Sequence, residues 1–410
     1  MIGAGIALTG LAAFLTDAAF YLGLFALTHA LKADGASSRG VALVVGIYTL
    51  AYAAAAPALG RTSDRRRDLS VLLGAGLFAS VFSALSLALT LELRDGVLRV
   101  SARVGEARAL VYLAMTVLAA ANAMFWPALQ ARIGDRVSDP DALARAMRTF
   151  NVAWTSGKAL GFLAGGLLFR LAPGVALATV AGAGWLIVLA LVLDRGAAGA
   201  APREDRGPAA RMPVAQPRKR AFLLAALLAN FTLWGATSTL AGLAPKLAEG
   251  WGISVPETGV LLFLSTAAQG VAFVWLGSGR RWAYRPGLLA AAVPCAALGL
   301  LGLATSGLVV ALLGAVMVGV AQAVTYAASV FYSLDHDERR GLRTGIHEAV
   351  LAAGGALPIL GGQIADSTGQ VMAPVWLLLG IAAPLGLLLA LVLLRAPPGD
   401  RPAGAPPDPA

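Results

Sequence analysis

Residues 60–67, Gly-Arg-Thr-Ser-Asp-Arg-Arg-Arg, place four arginines and an aspartate between two long apolar runs, residues 40–59 and 69–91. Charge at that density is too costly for the hydrocarbon core of a bilayer. The segment must therefore be a short aqueous turn joining two spans, which predicts a helical hairpin. The sign of its charge also says on which side of a membrane the hairpin opens.

The rest of the chain agrees with that reading. It is 58% hydrophobic and 13% charged, whereas a soluble domain has about 25% charged residues. A helix needs about 20 apolar residues to cross a membrane, so 410 residues hold a dozen spans with short loops. Twelve apolar runs are bounded by charges or Pro/Gly clusters: 3–31, 40–60, 69–91, 109–130, 149–169, 174–193, 221–245, 259–279, 287–306, 308–333, 345–365 and 373–394. The lone Cys295 excludes an intramolecular disulfide and has no metal-site spacing, so neither metal nor cofactor is expected. The first run is too long for a signal peptide and no basic segment precedes it.

A net charge of +10 suggests nucleic acid in a soluble protein. In a membrane protein basic residues mark topology instead, so the expected partner is the lipid bilayer and no nucleic acid. With a cytoplasmic N-terminus, 23 of the 32 lysines and arginines fall in cytoplasmic segments and eight in opposite-side loops. That bias predicts both termini in the cytoplasm of a multi-pass protein of the cell membrane, plasma or inner. Segment 194–220 is rich in Pro, Gly, Ala and Arg and reads as a linker between an N-terminal half, 1–193, and a C-terminal half, 221–394. The tail 395–410, with six prolines, reads as disordered.

The halves repeat one another. Asn122 and Trp126 match Gln322 and Tyr326 at an offset of 200, and the run Gly157, Gly161, Gly165, Gly166 matches Ala353, Leu357, Gly361, Gly362 at 196. Gly60 and Gly279, each closing a span, are 219 apart. The difference lies in a polar loop, 92–108, present only in the first half.

These motifs carry a family resemblance. Gly60-x-x-Ser63-Asp64-Arg65-x-Arg67 resembles the loop 2–3 signature of the major facilitator superfamily, G-x-x-x-D-R-x-G-R-R, without its second glycine. The span-five run resembles G-x-x-x-G-P-x-x-G-G of the drug:proton antiporter branch; Phe162 replaces the proline, which Pro358 keeps in the second copy. The resemblance implies an all-α polytopic fold of twelve transmembrane helices in two six-helix halves, with a site between them near the midplane. A monomer is the family default. The resemblance also implies that Asp64 docks on the start of span eleven while Arg65 pairs with nearby acids, latching the cytoplasmic side. A topogenic basic loop is the competing reading. Residues 109–130 lack the span-four arginine usual in drug antiporters, so that residue's proton-relay role does not carry over.

Charges inside spans are functional candidates. Asp17 lies about 20 Å, and Lys158 about 14 Å, from the cytoplasmic ends of spans one and five at 1.5 Å per residue. An Asp17–Lys158 pair broken by protonation would couple transport to protons; a static pair, or Lys158 reaching back to the interface, is the alternative. His347 and Glu348 open span eleven, either as proton sensors or as cytoplasmic rim residues with Glu348 serving the helix N-terminus or pairing with Arg65. His29 reads as a solvated rim residue.

Spans one, four, seven and ten, which line the cavity in the resembling family, each carry a pair at i, i+4: Asp17/Tyr21, Asn122/Trp126, Asn230/Trp234 and Gln322/Tyr326. That spacing puts both members on one helix face. Converging faces would suit an amphipathic or aromatic solute, a cationic one if Asp17 is free of Lys158; interhelical hydrogen bonding and interface Trp/Tyr are the alternative. The glycines at 157, 161, 165, 166, 361 and 362 suit close helix packing, with Pro358 beside them.

The function expected is secondary active transport of a small organic solute by alternating access, as proton-coupled efflux. Proton symport or uniport of a metabolite is the second reading, and a non-transporting sensor or scaffold the third. The chain has no P-loop and no pairing of nucleophile with base, so an enzyme is not expected.

Overall fold

The computed structural model describes residues 2–63, 66–94, 97–100, 108–135, 140–171, 173–198, 212–279, 281–305, 307–336 and 340–395. Six helices form the first half: α1 (Ile2–Ala33), α2 (Ser38–Ser63), α3 (Arg67–Thr90), α4 (Arg108–Asp135), α5 (Pro140–Leu171) and α6 (Pro173–Ala198). The second half comprises α7 (Gln216–Gly242), the short α8 (Ala244–Trp251), α9 (Val255–Leu276), α10 (Pro286–Leu303), α11 (Leu308–His336), α12 (Arg340–Gly354), α13 (Leu357–Thr368) and α14 (Ala373–Leu394). Among the described residues, twelve spans are long and apolar enough to cross a membrane, α12 and α13 together making the eleventh. Outward-facing side chains such as Trp185, Trp275 and Leu313 are more than half exposed, as a lipid-facing surface requires.

Several boundaries differ from the sequence expectation. The helices α6 and α7 run into the expected linker, and residues 199–211 and 396–410 lie outside the described residues. The loop 92–108 begins as an antiparallel hairpin, β1 (Leu91–Arg94) with β2 (Val97–Val100), pairing Leu91 with Val100. A reach for helix from Pro140 was not legible, because Asp141, Arg145 and Arg148 interrupt the apolar pattern on which spans were read.

Glycines set the close contacts. A Cβ on Gly161 would lie 2.6 Å from the Ala18 carbonyl, one on Gly157 would strike the Phe14 carbonyl, and one on Gly165 would meet the Phe25 ring at 2.8 Å. Thus α1 lies against α5 with almost no side chain between them, the small-residue packing expected in lipid. Gly166 continues this across the halves, its added Cβ falling 3.2 Å from the Gly259 Cα on α9. On the other seam, a Cβ on Gly60 would be 2.5 Å from the Gly341 carbonyl, and one on Gly345 2.6 Å from that of Ala56. The knot end of α2 therefore rests on the start of α12.

The eleventh span is interrupted rather than continuous. Pro358 has no N–H to donate to the Gly354 carbonyl. Shorter-range bonds replace the regular ladder, Ala356 N–H to the Ala353 carbonyl at 3.2 Å and Ile359 N–H to that of Ala356 at 3.0 Å. The interruption packs on α7, where a Cβ on Gly354 would strike the Phe231 carbonyl.

The second half is anchored by a buried charge cluster. Lys219 Nζ and Asp335 Oδ2 are 2.7 Å apart, both side chains 3% exposed. Asp335 also accepts from the Tyr284 hydroxyl at 2.7 Å and the Met212 N–H at 2.9 Å. Burial and the Asp335 charge push the Tyr284 phenol above its usual range. Tyr284 has φ 56°, a left-handed conformation that disfavours a bulky side chain. Its N–H, donated to the Tyr332 hydroxyl at 3.0 Å, helps hold it there.

Candidate functional site

Between the halves lies a cavity with about 770 Å³ of atom-free space, part of it open to solvent. Its charged lining residues are Asp17 of α1, Lys158 of α5 and Glu348 of α12. Around them stand the rings of Tyr21, Tyr48, Tyr52, Trp126, Trp154, Trp234 and Tyr326. Thr237, Ser238 and Asn122 add neutral polar groups.

Asp17 is 7% and Lys158 4% exposed. The two interact electrostatically. Among the described residues, however, no ion pair within 4.0 Å joins them and neither makes a hydrogen bond. The Lys158 ammonium lies over the Tyr21 ring at 4.5 Å and the Trp234 ring at 5.2 Å, so aromatic faces add to the attraction of the Asp17 charge. Because α5 faces α7 across the cavity here, Lys158 reaches inward rather than back to the membrane interface.

Glu348 does not sit at the rim. It is buried and bridges the halves, accepting from the Tyr52 hydroxyl of α2 at 2.9 Å and from Gln130 Nε2 of α4. Its expected partner Arg65, and Asp64 beside it, lie outside the described residues. His347 is fully buried against the Tyr326 ring, and neither of its ring nitrogens has a hydrogen-bond partner; Nε2 is 3.8 Å from Glu348 Oε1. His29 is likewise buried rather than solvated, stacked on Phe25 with Nδ1 2.9 Å from that residue's carbonyl oxygen.

Of the eight residues expected on the cavity wall, the lining contains Asp17, Tyr21, Asn122, Trp126, Trp234 and Tyr326. Asn230 and Gln322 lie behind it, both with 0% exposure, and bond to each other through Gln322 Nε2 and Asn230 Oδ1 at 3.1 Å. For that pair the interhelical role is the one the structure has. Asn122 donates to the Tyr48 hydroxyl at 2.9 Å, fixing the neighbouring phenol.

Sequence reasoning missed Tyr48/Tyr52 on α2 and Trp154 on α5. Both carried a usable signal: Tyr48 and Tyr52, like Trp154 and Lys158, are spaced i, i+4, the pattern sought only on four other spans. Trp154 meets Tyr326 at 5.0 Å and Trp234 at 6.5 Å between ring centroids, so an aromatic cluster crosses the halves beside Lys158.

Contacts join the two halves on either side of the cavity. At the knot end, beyond Glu348, Gly60 rests on Gly341. At the opposite end, Asp366 of α13 accepts from the N–H groups of Ser38 and Arg39 at 2.8 and 2.9 Å. A carboxylate thus caps the first turn of α2 from the other half, where unpaired N–H groups and the helix dipole favour negative charge.

Comparisons with known proteins follow the same architecture. A crystal structure of the human organic anion transporter MFSD10 (TETRAN) is similar with a TM-score of 0.68 and 18% identity, over 95% of this chain and 99% of that one. A bacterial homolog to the human lysosomal transporter Spinster, inward-facing and unoccupied, gives 0.63 and 17%, over 96% and 98%. Identities this low speak for the fold alone. No curated protein sequence matches the chain. The family model of the Major Facilitator Superfamily matches residues 9–277 and again 226–409. Matched over nearly its whole length, this multi-pass membrane chain belongs to the Major Facilitator Superfamily of transporters.

Proposed function

We propose that this transporter exchanges a small organic solute for protons, as an efflux antiporter of the cell membrane with both termini in the cytoplasm. Its family supplies alternating access; the finer reading rests on Asp17. A buried carboxylate facing the cavity with no hydrogen-bond or ion-pair partner is expensive to keep charged. A proton relieves that cost, and so does a donor group on a solute. Competition between the two for one carboxylate makes their movements opposite and obligatory. Lys158 keeps Asp17 available by resting on aromatic rings instead of pairing with it.

Glu348 and His347 are the second pair in this reading. Glu348 holds the knot end closed through Tyr52 and Gln130, and its protonation weakens that hold. Gly60, Asp64, Arg65 and Arg67 complete the cytoplasmic latch. The packing of Gly60 on Gly341 and Gly345 supports it, since it brings the knot to the start of α12, where an Asp64 carboxylate would find N–H donors.

Proteoliposomes with and without an imposed pH gradient test this. Solute should move against its gradient only when the pH gradient is present, and Asp17→Asn should abolish that dependence. Equal flux in both conditions, with Asp17→Asn unchanged, favours the uniport reading.

A further inference from the structure

Two opposite charges share this cavity, and neither has a hydrogen bond or a close ion pair among the described residues. Asp17 and Lys158 are each more than nine-tenths buried and line the same space. Their polar atoms are also absent from the buried groups sealed away without partners, unlike those of His347 and Gln322, so they open on the cavity. Burying a charge unpaired is costly, and a carboxylate and an ammonium lining one cavity could cancel that cost by pairing. Here the ammonium lies over the Tyr21 and Trp234 rings instead.

We infer that the cavity takes a zwitterion: an organic solute whose ammonium group meets Asp17 and whose carboxylate or other anionic group meets Lys158, with an aromatic or apolar body among the surrounding rings. This deepens the reading of the same site given above, and it depends on that site being the solute site. A purely cationic solute leaves Lys158 without a hydrogen-bond acceptor and faces its repulsion. A purely anionic one leaves Asp17 in the same position. Only a solute bearing both charges completes both groups, and charge-assisted hydrogen bonds are the strong ones. Glu348 does not alter this count, because Tyr52 and Gln130 already donate to it. The rings of Trp126 and Trp154 offer faces to an aromatic body.

The test uses the full-length protein in lipid nanodiscs and two sets of matched probes, titrated by isothermal calorimetry near neutral pH. One set is tryptophan, tryptamine and indole-3-propionate; the other is phenylalanine, phenethylamine and 3-phenylpropionate. In at least one set the zwitterion is expected to bind about tenfold or more tightly than both singly charged probes, in line with the cost of leaving a buried charge unpaired. Asp17→Asn should bring the zwitterion down to the level of the anionic probe, and Lys158→Gln to that of the cationic one. A cationic or anionic probe binding as tightly as the zwitterion in both sets overturns the inference, as does the absence of heat from both zwitterions at millimolar concentration. The wild-type comparison needs no variant, so a misfolded mutant does not blunt it. Proton dependence is read separately: zwitterion preference without pH-driven flux leaves this inference standing and removes the antiport reading, and pH-driven flux of a singly charged solute does the reverse.

Discussion

Glu348, in the second half, accepts a hydrogen bond from the hydroxyl of Tyr52, in the first, at 2.9 Å. Gln130 adds a second bond from the first half to the same carboxylate. These bonds lie on the knot side of the cavity and must break before the halves can part there.

Tyr52→Phe removes one of them while keeping the ring. A hydrogen bond to a charged group contributes about 1.5–3 kcal/mol, so the population open at the knot end should rise roughly tenfold or more. Distances between spin labels on α2 and α12 report it; an unchanged distribution would show that this contact does not hold the end closed.

Asp366→Ala should act at the opposite end. Loss of a helix-capping carboxylate costs about 0.5–2 kcal/mol, and here the cap joins the two halves through Ser38 and Arg39. The variant should expose a cysteine placed near Ser38 to a membrane-impermeant thiol reagent faster than the parent protein does. The nearby Lys32–Glu249 pair, at 3.0 Å but 35% and 45% exposed, should matter much less.

Gly161→Val tests the packing of α1 on α5. Its side chain would be driven into the Ala18 carbonyl, and overpacking of this kind costs about 1–3 kcal/mol. Thermal unfolding in detergent should fall by several degrees. Gly182→Ala is the matched control, because a Cβ there meets nothing within 4 Å.

Asp335→Ala should be among the most damaging single changes. Removing one partner of a buried ion pair costs about 3–5 kcal/mol, because the other charge is left uncompensated. Lys219 is that charge, 3% exposed. The double variant Lys219→Ala with Asp335→Ala should be less unstable than Asp335→Ala alone. Equal losses in the single and double variants would show that the Tyr284 and Met212 bonds, not the charge pair, carry the effect.

The twelve spans were legible because lipid demands long apolar runs, and charge marks where each one ends. Polar cavity residues were legible only in part. Asp17, Lys158 and the i, i+4 faces stand out against apolar neighbours, so they could be singled out from spacing. Whether such a residue faces the cavity or its neighbour helix depends on helix rotation, and no single span encodes that. Asn230 and Gln322 illustrate it: same spacing, same depth, yet they face one another. Glu348 reads as a rim residue from an apolar run that starts at residue 345, whereas the helix begins five residues earlier, at Arg340. The seat of Lys158 over aromatic rings was not legible either, since one of them, Trp234, belongs to the opposite half.

The interruption at Gly354–Leu357 divides the eleventh span between two jobs. Glu348 and the contact with Gly60 belong to the piece before it, Asp366 and its hold on α2 to the piece after it. A continuous helix would transmit a tilt at one end rigidly to the other, so loosening one closure would strain its counterpart. A jointed one lets each segment swing about its own contacts. The two doors of the transporter can therefore hang on separate hinges along a single stretch of chain.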